Sequence, residues 1–244
     1  MLSFYFKEYK YIELMTLVYL VSIPFLLLGY FVGGQYTHLY STTIRKTLQL
    51  VSLFIAIYVV AILLFINGLL SEALAGTLIS LFYAFLTGIG MGKLYSQLEI
   101  KKIAGYPLYS FKNPIIHFAP LVIGSTLIIA GLLRIGWAFN FVITPIRLFS
   151  SASLIFFGLV SFTLYITPNI RTNSILIIDQ AIDWKTFLDY HWLSEDEVQM
   201  IFEKEVDRSS NSGQIESVIN IQVNPGERVK LERLFAMKKK LNKN

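Results

Sequence analysis

The chain has 244 residues, 55% of them hydrophobic and 15% charged, with a net charge of +5 and a mean hydropathy of +0.58. Soluble domains carry about 25% charged residues, so this composition excludes an ordinary soluble globule and points to a mainly α, polytopic membrane protein. The absence of cysteine excludes disulfides, thiolate catalysis, iron–sulfur clusters and Cys-ligated zinc. Three histidines leave little for a multi-histidine metal centre, and no metal or cofactor is expected.

A membrane helix needs about 20 mostly apolar residues. Five segments meet that requirement and predict spans over 14–32, 48–70, 73–91, 115–135 and 148–166. Residues 1–168 then form a transmembrane helical domain and 169–244 a tail. Residues 1–12 mix Phe4, Tyr5, Phe6, Tyr9 and Tyr11 with Lys7, Glu8 and Lys10, a headgroup-zone composition that predicts a short interfacial segment before the first span. The first span, flanked by Glu13 and lacking a clean small-residue cleavage site, is expected to be retained rather than removed as a signal peptide. Lys and Arg cluster in the first loop (Arg45, Lys46), the third loop (Lys93, Lys101, Lys102, Lys112) and the tail. By the positive-inside rule these share the cytoplasmic side of the cell membrane. A sixth span or a re-entrant piece around 136–144 would reverse half of that map.

The strongest local pattern lies in the third span, where Gly76, Ser80, Ala84, Gly88 and Gly92 recur every fourth residue; Gly29 and Gly33 repeat it in the first. In lipid no hydrophobic force drives helices together, so small residues that permit close backbone approach mark packing seams. The seam can join spans one and three within one chain, join two copies in a homo-oligomer or membrane-protein complex, or line a substrate path. The run Gly88–Lys93 is not a phosphate loop, because Leu94 stands where Ser or Thr is required and no strand precedes it.

Ionisable groups near the bilayer are functional suspects. Glu72 opens the third span, His117 starts the fourth and Arg134 lies near its far end, with Arg147 opening the fifth. Glu72, His117 and Arg134 are the candidate polar site, weighed against a helix-dipole role for Glu72 and snorkelling for the arginines. Glu72 and His117 are predicted on opposite membrane faces, which disfavours a catalytic dyad, and no catalytic residue is assigned. The mid-span hydroxyls of Ser22, Ser80, Ser125, Thr126, Ser153 and Ser161 are expected to act as hydrogen-bonding glue between helices.

After Pro168 the pattern changes to period two. Residues 174–178, 188–192, 198–203 and 219–223 read as four strands of a meander, with Asp179-Gln180 as a turn. Asn224-Pro225-Gly226-Glu227 then supplies an N-cap, a first-turn proline and a capping-box glutamate. It opens a helix to about Lys240 with Leu231, Leu234, Phe235 and Leu241 on one face. Lys238, Lys239 and Lys240 suit its C-terminal dipole or an anionic lipid.

The run Ile182-Asp183-Trp184-Lys185-Thr186-Phe187-Leu188-Asp189-Tyr190-His191-Trp192, followed by strands and the Asn224-Pro225 helix, resembles the C-terminal part of uncharacterised bacterial multi-pass membrane proteins with a pleckstrin-homology-like tail. The resemblance covers about 70 residues. Phe187 stands where that pattern carries a smaller aliphatic residue. It implies a fold for the tail, with Trp184, Tyr190 and Trp192 in its core, and no chemistry.

These features predict a non-enzymatic scaffold, assembly factor or accessory subunit whose cytoplasmic tail docks a partner or lipid. A small transporter or channel subunit is the alternative, suggested by Pro24 and Pro120 within spans, although no inverted repeat is visible. An intramembrane enzyme would need acidic or histidine groups clustered at one depth. Basic residues are interspersed with acidic ones in the tail, so nucleic acid is not an expected partner.

Overall fold

The computed structural model describes residues 2–35, 44–110, 114–139, 143–178, 180–204, 215–223 and 225–241. The chain divides into two compact units, one of residues 1–99 with 115–164 and the other of residues 100–114 with 165–244.

The first unit is helical. Its elements are α1 (Leu2–Gln35), α2 (Ile44–Ile66), α3 (Glu72–Ala104), α4 (Pro114–Phe139) and α5 (Pro145–Thr163). Among the described residues, four helical stretches are long and apolar enough to cross a membrane: Met15–Gly34, Glu72–Ala104, Phe118–Trp137 and Pro145–Thr163. Within α2 the apolar stretch Ile55–Ile66 is shorter. Helix α1 starts at Leu2, so the expected interfacial piece is continuous with the first apolar helix. No glycine or proline precedes Pro24 to interrupt it. Helix α3 continues to Ala104, well past the predicted end at Met91. The residues beyond Met91 mix Lys, Gln and Glu with Leu and Ile; Lys, Gln, Glu and Leu are good helix formers, so the unbroken apolar run ends before helicity does. Helix α5 is capped by Thr144, whose hydroxyl accepts from the Arg147 amide at 3.4 Å, with Pro145 in the first turn. Five positions separate Phe139 from Pro145, too few for a further span, and three of them lie outside the described residues.

Among the described residues the second unit holds seven strands and a closing helix. Strands β1 (Pro107–Ser110), β2 (Tyr165–Arg171), β3 (Ser174–Ile178) and β4 (Gln180–Asp183) form one antiparallel sheet in that order. Strands β5 (Phe187–Trp192), β6 (Glu197–Lys204) and β7 (Ile215–Gln222) form a second. Helix α6 (Arg228–Leu241) follows a single 3₁₀ turn over Pro225–Glu227. The expected single meander is therefore two sheets: its first strand belongs to one and the other three to the second. Three strands escaped the pattern. Strand β1 has only four residues and lies between α3 and α4; β2 carries Pro168; β4 is four residues long and runs straight into the turn at Trp184–Thr186. The Asn224 cap and the Asp179 turn position lie outside the described residues.

One apolar cluster fills this unit. Ile170, Ile175, Val198, Met200, Leu231 and Phe235 are fully buried, with Trp184, Phe187 and Phe202 nearly so; Tyr190, Trp192 and Leu234 pack against them. Phe187 is its aromatic centre, with ring centroids 5.4 Å from Trp184, 5.5 Å from Phe202 and 6.0 Å from Phe235.

Candidate functional site

The small-residue stripe resolves into a close crossing of α1 with α3. A Cβ added at Gly29 would lie 2.1 Å from the Phe85 carbonyl oxygen, and one at Gly33 would lie 2.2 Å from that of Ile89. From the other side, a Cβ at Gly88 would lie 2.1 Å from the Leu26 carbonyl oxygen and one at Gly92 would lie 2.0 Å from that of Tyr30. Four glycines thus bring two backbones into direct contact, and the matched advance along both chains makes α1 and α3 parallel. Ala84 is fully buried and Ser80 nearly so, its hydroxyl donating to the Gly76 carbonyl at 2.8 Å. Gly76 is not part of this seam: a Cβ there meets only Ile146 Cδ1 of α5, at 3.8 Å.

A second seam, which the four-residue spacing did not reveal, joins α4 to α5. A Cβ at Gly124 would lie 2.8 Å from the Gly158 carbonyl oxygen, and one at Gly131 would lie 2.9 Å from that of Ser151. Its signal was small residues seven apart on each helix, Gly124 with Gly131 and Ser151 with Gly158. The pairing is antiparallel. Helices α3 and α5 run parallel, through Gly76 with Ile146 and through Thr87, whose hydroxyl donates to the Phe149 carbonyl at 2.9 Å.

Most hydroxyls do not bridge helices. Ser22, Ser80 and Thr126 donate to the carbonyl four residues back and Ser153 to the one three back, the local bond that serine and threonine favour in helices. Ser161, donating to the Pro120 carbonyl at 2.8 Å, bridges helices as Thr87 does.

The candidate polar residues do not meet. Glu72 is exposed at the start of α3 and Arg134 is exposed near the end of α4, at the same end of the bundle by the helix directions above. His117 sits in the first turn of α4, at the opposite end; its side chain lies outside the described residues. Arg134 instead flanks Arg147, and with Leu133 and Trp137 they line a cleft of about 700 Å³. Lys93, expected in a loop, is 5% exposed on α3, and Gln97 one turn later is 3% exposed with its Nε2 unpartnered.

In the second unit the turn Arg171-Thr172-Asn173 gathers the most polar contacts. Arg171 Nη1 donates to the Gly105 carbonyl at 2.7 Å and the Lys101 carbonyl at 3.3 Å. Asn173 donates from its amide to the Ala104 carbonyl at 3.1 Å and from Nδ2 to that of Ile103 at 3.0 Å. The last carbonyls of α3, left without helical partners, are thus satisfied from the β2–β3 turn. Gly105 ends the helix at φ +80°, where a Cβ would strike Thr172 Oγ1 at 2.0 Å. The turn also accepts: Trp184 Nε1 donates to the Arg171 carbonyl at 2.8 Å, and Lys238 Nζ to that of Thr172. Burial pushes the Lys238 ammonium below its ordinary value.

A groove of about 670 Å³ lies between β5 and α6, lined by Asp189, Tyr190, His191, Trp192, Ala236, Lys239 and Lys240. Lys239 pairs with Asp189 at 2.6 Å, and this bond holds the Asp189 carboxyl below its usual range. Of Lys238, Lys239 and Lys240, the first is buried and the second is paired, so Lys240 is the one left exposed, beside the exposed His191. The Arg228 guanidinium lies 4.6 Å over the Trp192 ring. Among the described residues no group of three acidic or histidine side chains could hold a metal ion.

Comparison of the chain with protein-family models, curated proteins and solved structures finds no match.

Proposed function

We propose that this chain is a five-span protein of the cell membrane that carries a pleckstrin-homology-like domain on its cytoplasmic side and serves as a non-enzymatic scaffold, assembly factor or accessory subunit. Two antiparallel sheets of four and three strands with a closing helix are the parts such a domain requires. The observation that carries the reading is the capping of α3 by the β2–β3 turn. A soluble module appended for chemistry needs only a tether. Here the last turn of an apolar helix is hydrogen-bonded into the module itself, and the chain crosses between units three times, near 99/100, 114/115 and 164/165. That construction suits a module built into the membrane chain rather than appended to it.

The docking face in this reading is the β5–α6 groove, whose lining includes the exposed Lys240 and His191 and the half-buried Tyr190 and Trp192. The test is purification of the full chain from its own membrane in mild detergent, beside a variant carrying His191→Glu and Lys240→Glu. Both positions are exposed, so the variant should keep its thermal stability. A stoichiometric protein or anionic lipid that accompanies the natural chain and is lost from the variant supports the reading. An unchanged set of companions, or none, removes it.

The transporter alternative has one observation in its favour, the buried Lys93 and Gln97. Depth weighs against it. Lys93 is 21 residues past Glu72, which at 1.5 Å per residue is about 32 Å. An apolar layer about 30 Å thick entered at Glu72 ends before it, so Lys93 falls at the exit rather than midway. Ion or solute flux through reconstituted vesicles would restore this alternative.

A further inference from the structure

We infer that the cleft between α4 and α5 at Arg134 and Arg147 is a binding site for a membrane phospholipid of net negative headgroup charge; this rests on the membrane reading above. Four observations converge on it. The cleft, of about 700 Å³, falls within the 300–1,000 Å³ range of small-ligand sites and is far larger than an inorganic anion needs. Its described lining combines two guanidiniums, one from each helix, with Leu133 and Trp137, and includes no carboxylate. Trp137 and Leu133 are 77% and 63% exposed, so the apolar wall continues onto the outer surface of the helices, where an acyl chain can lie. Arg134 follows Pro114 by 20 residues, about 30 Å along the helix. That is one hydrocarbon thickness, so a helix entering one leaflet at Pro114 delivers Arg134 and Trp137 to the headgroup level of the other.

The chemistry then selects the ligand. A guanidinium offers a planar fork of donors matched to phosphate oxygens, and two of them facing one cleft favour a phosphodiester. A zwitterionic lipid would bring its own cation beside two arginines. A headgroup such as glycerol adds none, so the net anionic lipid is preferred. The helix backbones that carry the two arginines are held close by the approach of Gly124 to Gly158 and of Gly131 to Ser151, so both guanidiniums, on neighbouring helices, reach one cleft. A tryptophan at the rim suits the interfacial zone.

The test uses the full chain reconstituted in vesicles of phosphatidylglycerol and phosphatidylcholine in equal parts, then released for native mass spectrometry. The natural chain should retain phosphatidylglycerol over phosphatidylcholine by about tenfold or more, the worth of a charge-assisted hydrogen bond. Arg134→Gln with Arg147→Gln should abolish the preference. Trp137→Ala, which leaves both charges in place, should lower the total lipid retained several-fold while keeping the preference, and Arg134→Gln alone carries the test should the double variant not fold. No preference in the natural chain, or an undiminished one in the arginine variants, overturns the site. Stripping of the lipid by excess inorganic phosphate overturns the lipid as ligand in favour of a free anion. Failure of the membrane reading is distinguishable, because the chain would then not float with vesicles at all.

Discussion

Alanine at Gly88 is the sharpest probe of the α1–α3 seam. Its Cβ would stand 2.1 Å from the Leu26 carbonyl oxygen and 2.8 Å from the Tyr30 amide nitrogen, both backbone atoms that cannot rotate away. Ordinary van der Waals contact begins near 3.4 Å, so the helices must part by about 1.3 Å. A radial gap of 0.5–1 Å already forfeits about a quarter to a half of the dispersion well of each facing atom pair. Overpacking of this kind costs about 1–3 kcal/mol, and here it opens the contacts at Gly29, Gly33 and Gly92 as well. Gly76→Ala is the matched control on the same helix: its Cβ meets only Ile146 Cδ1 at 3.8 Å, and alanine is the better helix former by about 1 kcal/mol. Thermal unfolding of the purified full chain in detergent, followed by far-ultraviolet circular dichroism, should show Gly88→Ala clearly destabilised and Gly76→Ala unchanged or slightly stabilised. Equal effects of the two substitutions, or none from Gly88→Ala, would refute the close-contact argument.

Three further outcomes are expected. Arg171→Met removes the donor that serves the Lys101 and Gly105 carbonyls and should cost the second unit about 1.5–3 kcal/mol, read as faster proteolysis within 165–241 of the full chain. Gly105→Ala combines a φ of +80° with a clash against Thr172 and should cost about 1–3 kcal/mol, whereas Gly226→Ala, with nothing within 4 Å, should stay within about 0.5 kcal/mol of the natural chain by the same proteolysis. Burial and the bond it donates to Glu227 raise the Tyr109 phenol above its ordinary value. A raised folded value means that the contribution is complete below the unfolded phenol value near 10 and is lost as pH climbs beyond it. Stability measured from about pH 8 to 11 should therefore fall more steeply in the natural chain than in Tyr109→Phe.

The parts legible in the sequence are those where one period dominates. Long apolar runs marked five spans, of which four are helices long and apolar enough to cross a membrane, and Ser174–Ile178, a short aliphatic run rich in β-branched residues, was predicted with the strand bounds it has. The Gly29, Gly33, Gly88 and Gly92 spacing is likewise a local signal, because each helix carries its own half of the contact. What escaped depends on partners far away in the chain. Strand β1 is four residues that become a strand only by pairing with Arg171, Ile170 and Asn169, some sixty residues on. Arg147 and Arg134 were each readable as a snorkelling side chain, and only the antiparallel α4–α5 contact sets them at one cleft. Lys238 and Lys239 read as partners of the helix dipole or an anionic lipid, yet a Thr172 carbonyl and the Asp189 carboxylate claim them, contacts that no local pattern announces.

The position of β1 also sets a timetable for biosynthesis. Ser110 leaves the ribosome about 55 residues ahead of Tyr165, the first residue of its partner strand. At roughly 5–20 residues per second that is a delay of about 3–11 s, during which α4 and α5 are synthesised. The sheet that β1 joins cannot close before β2 has followed them, so a chain halted between the two strands is left with an orphan strand edge.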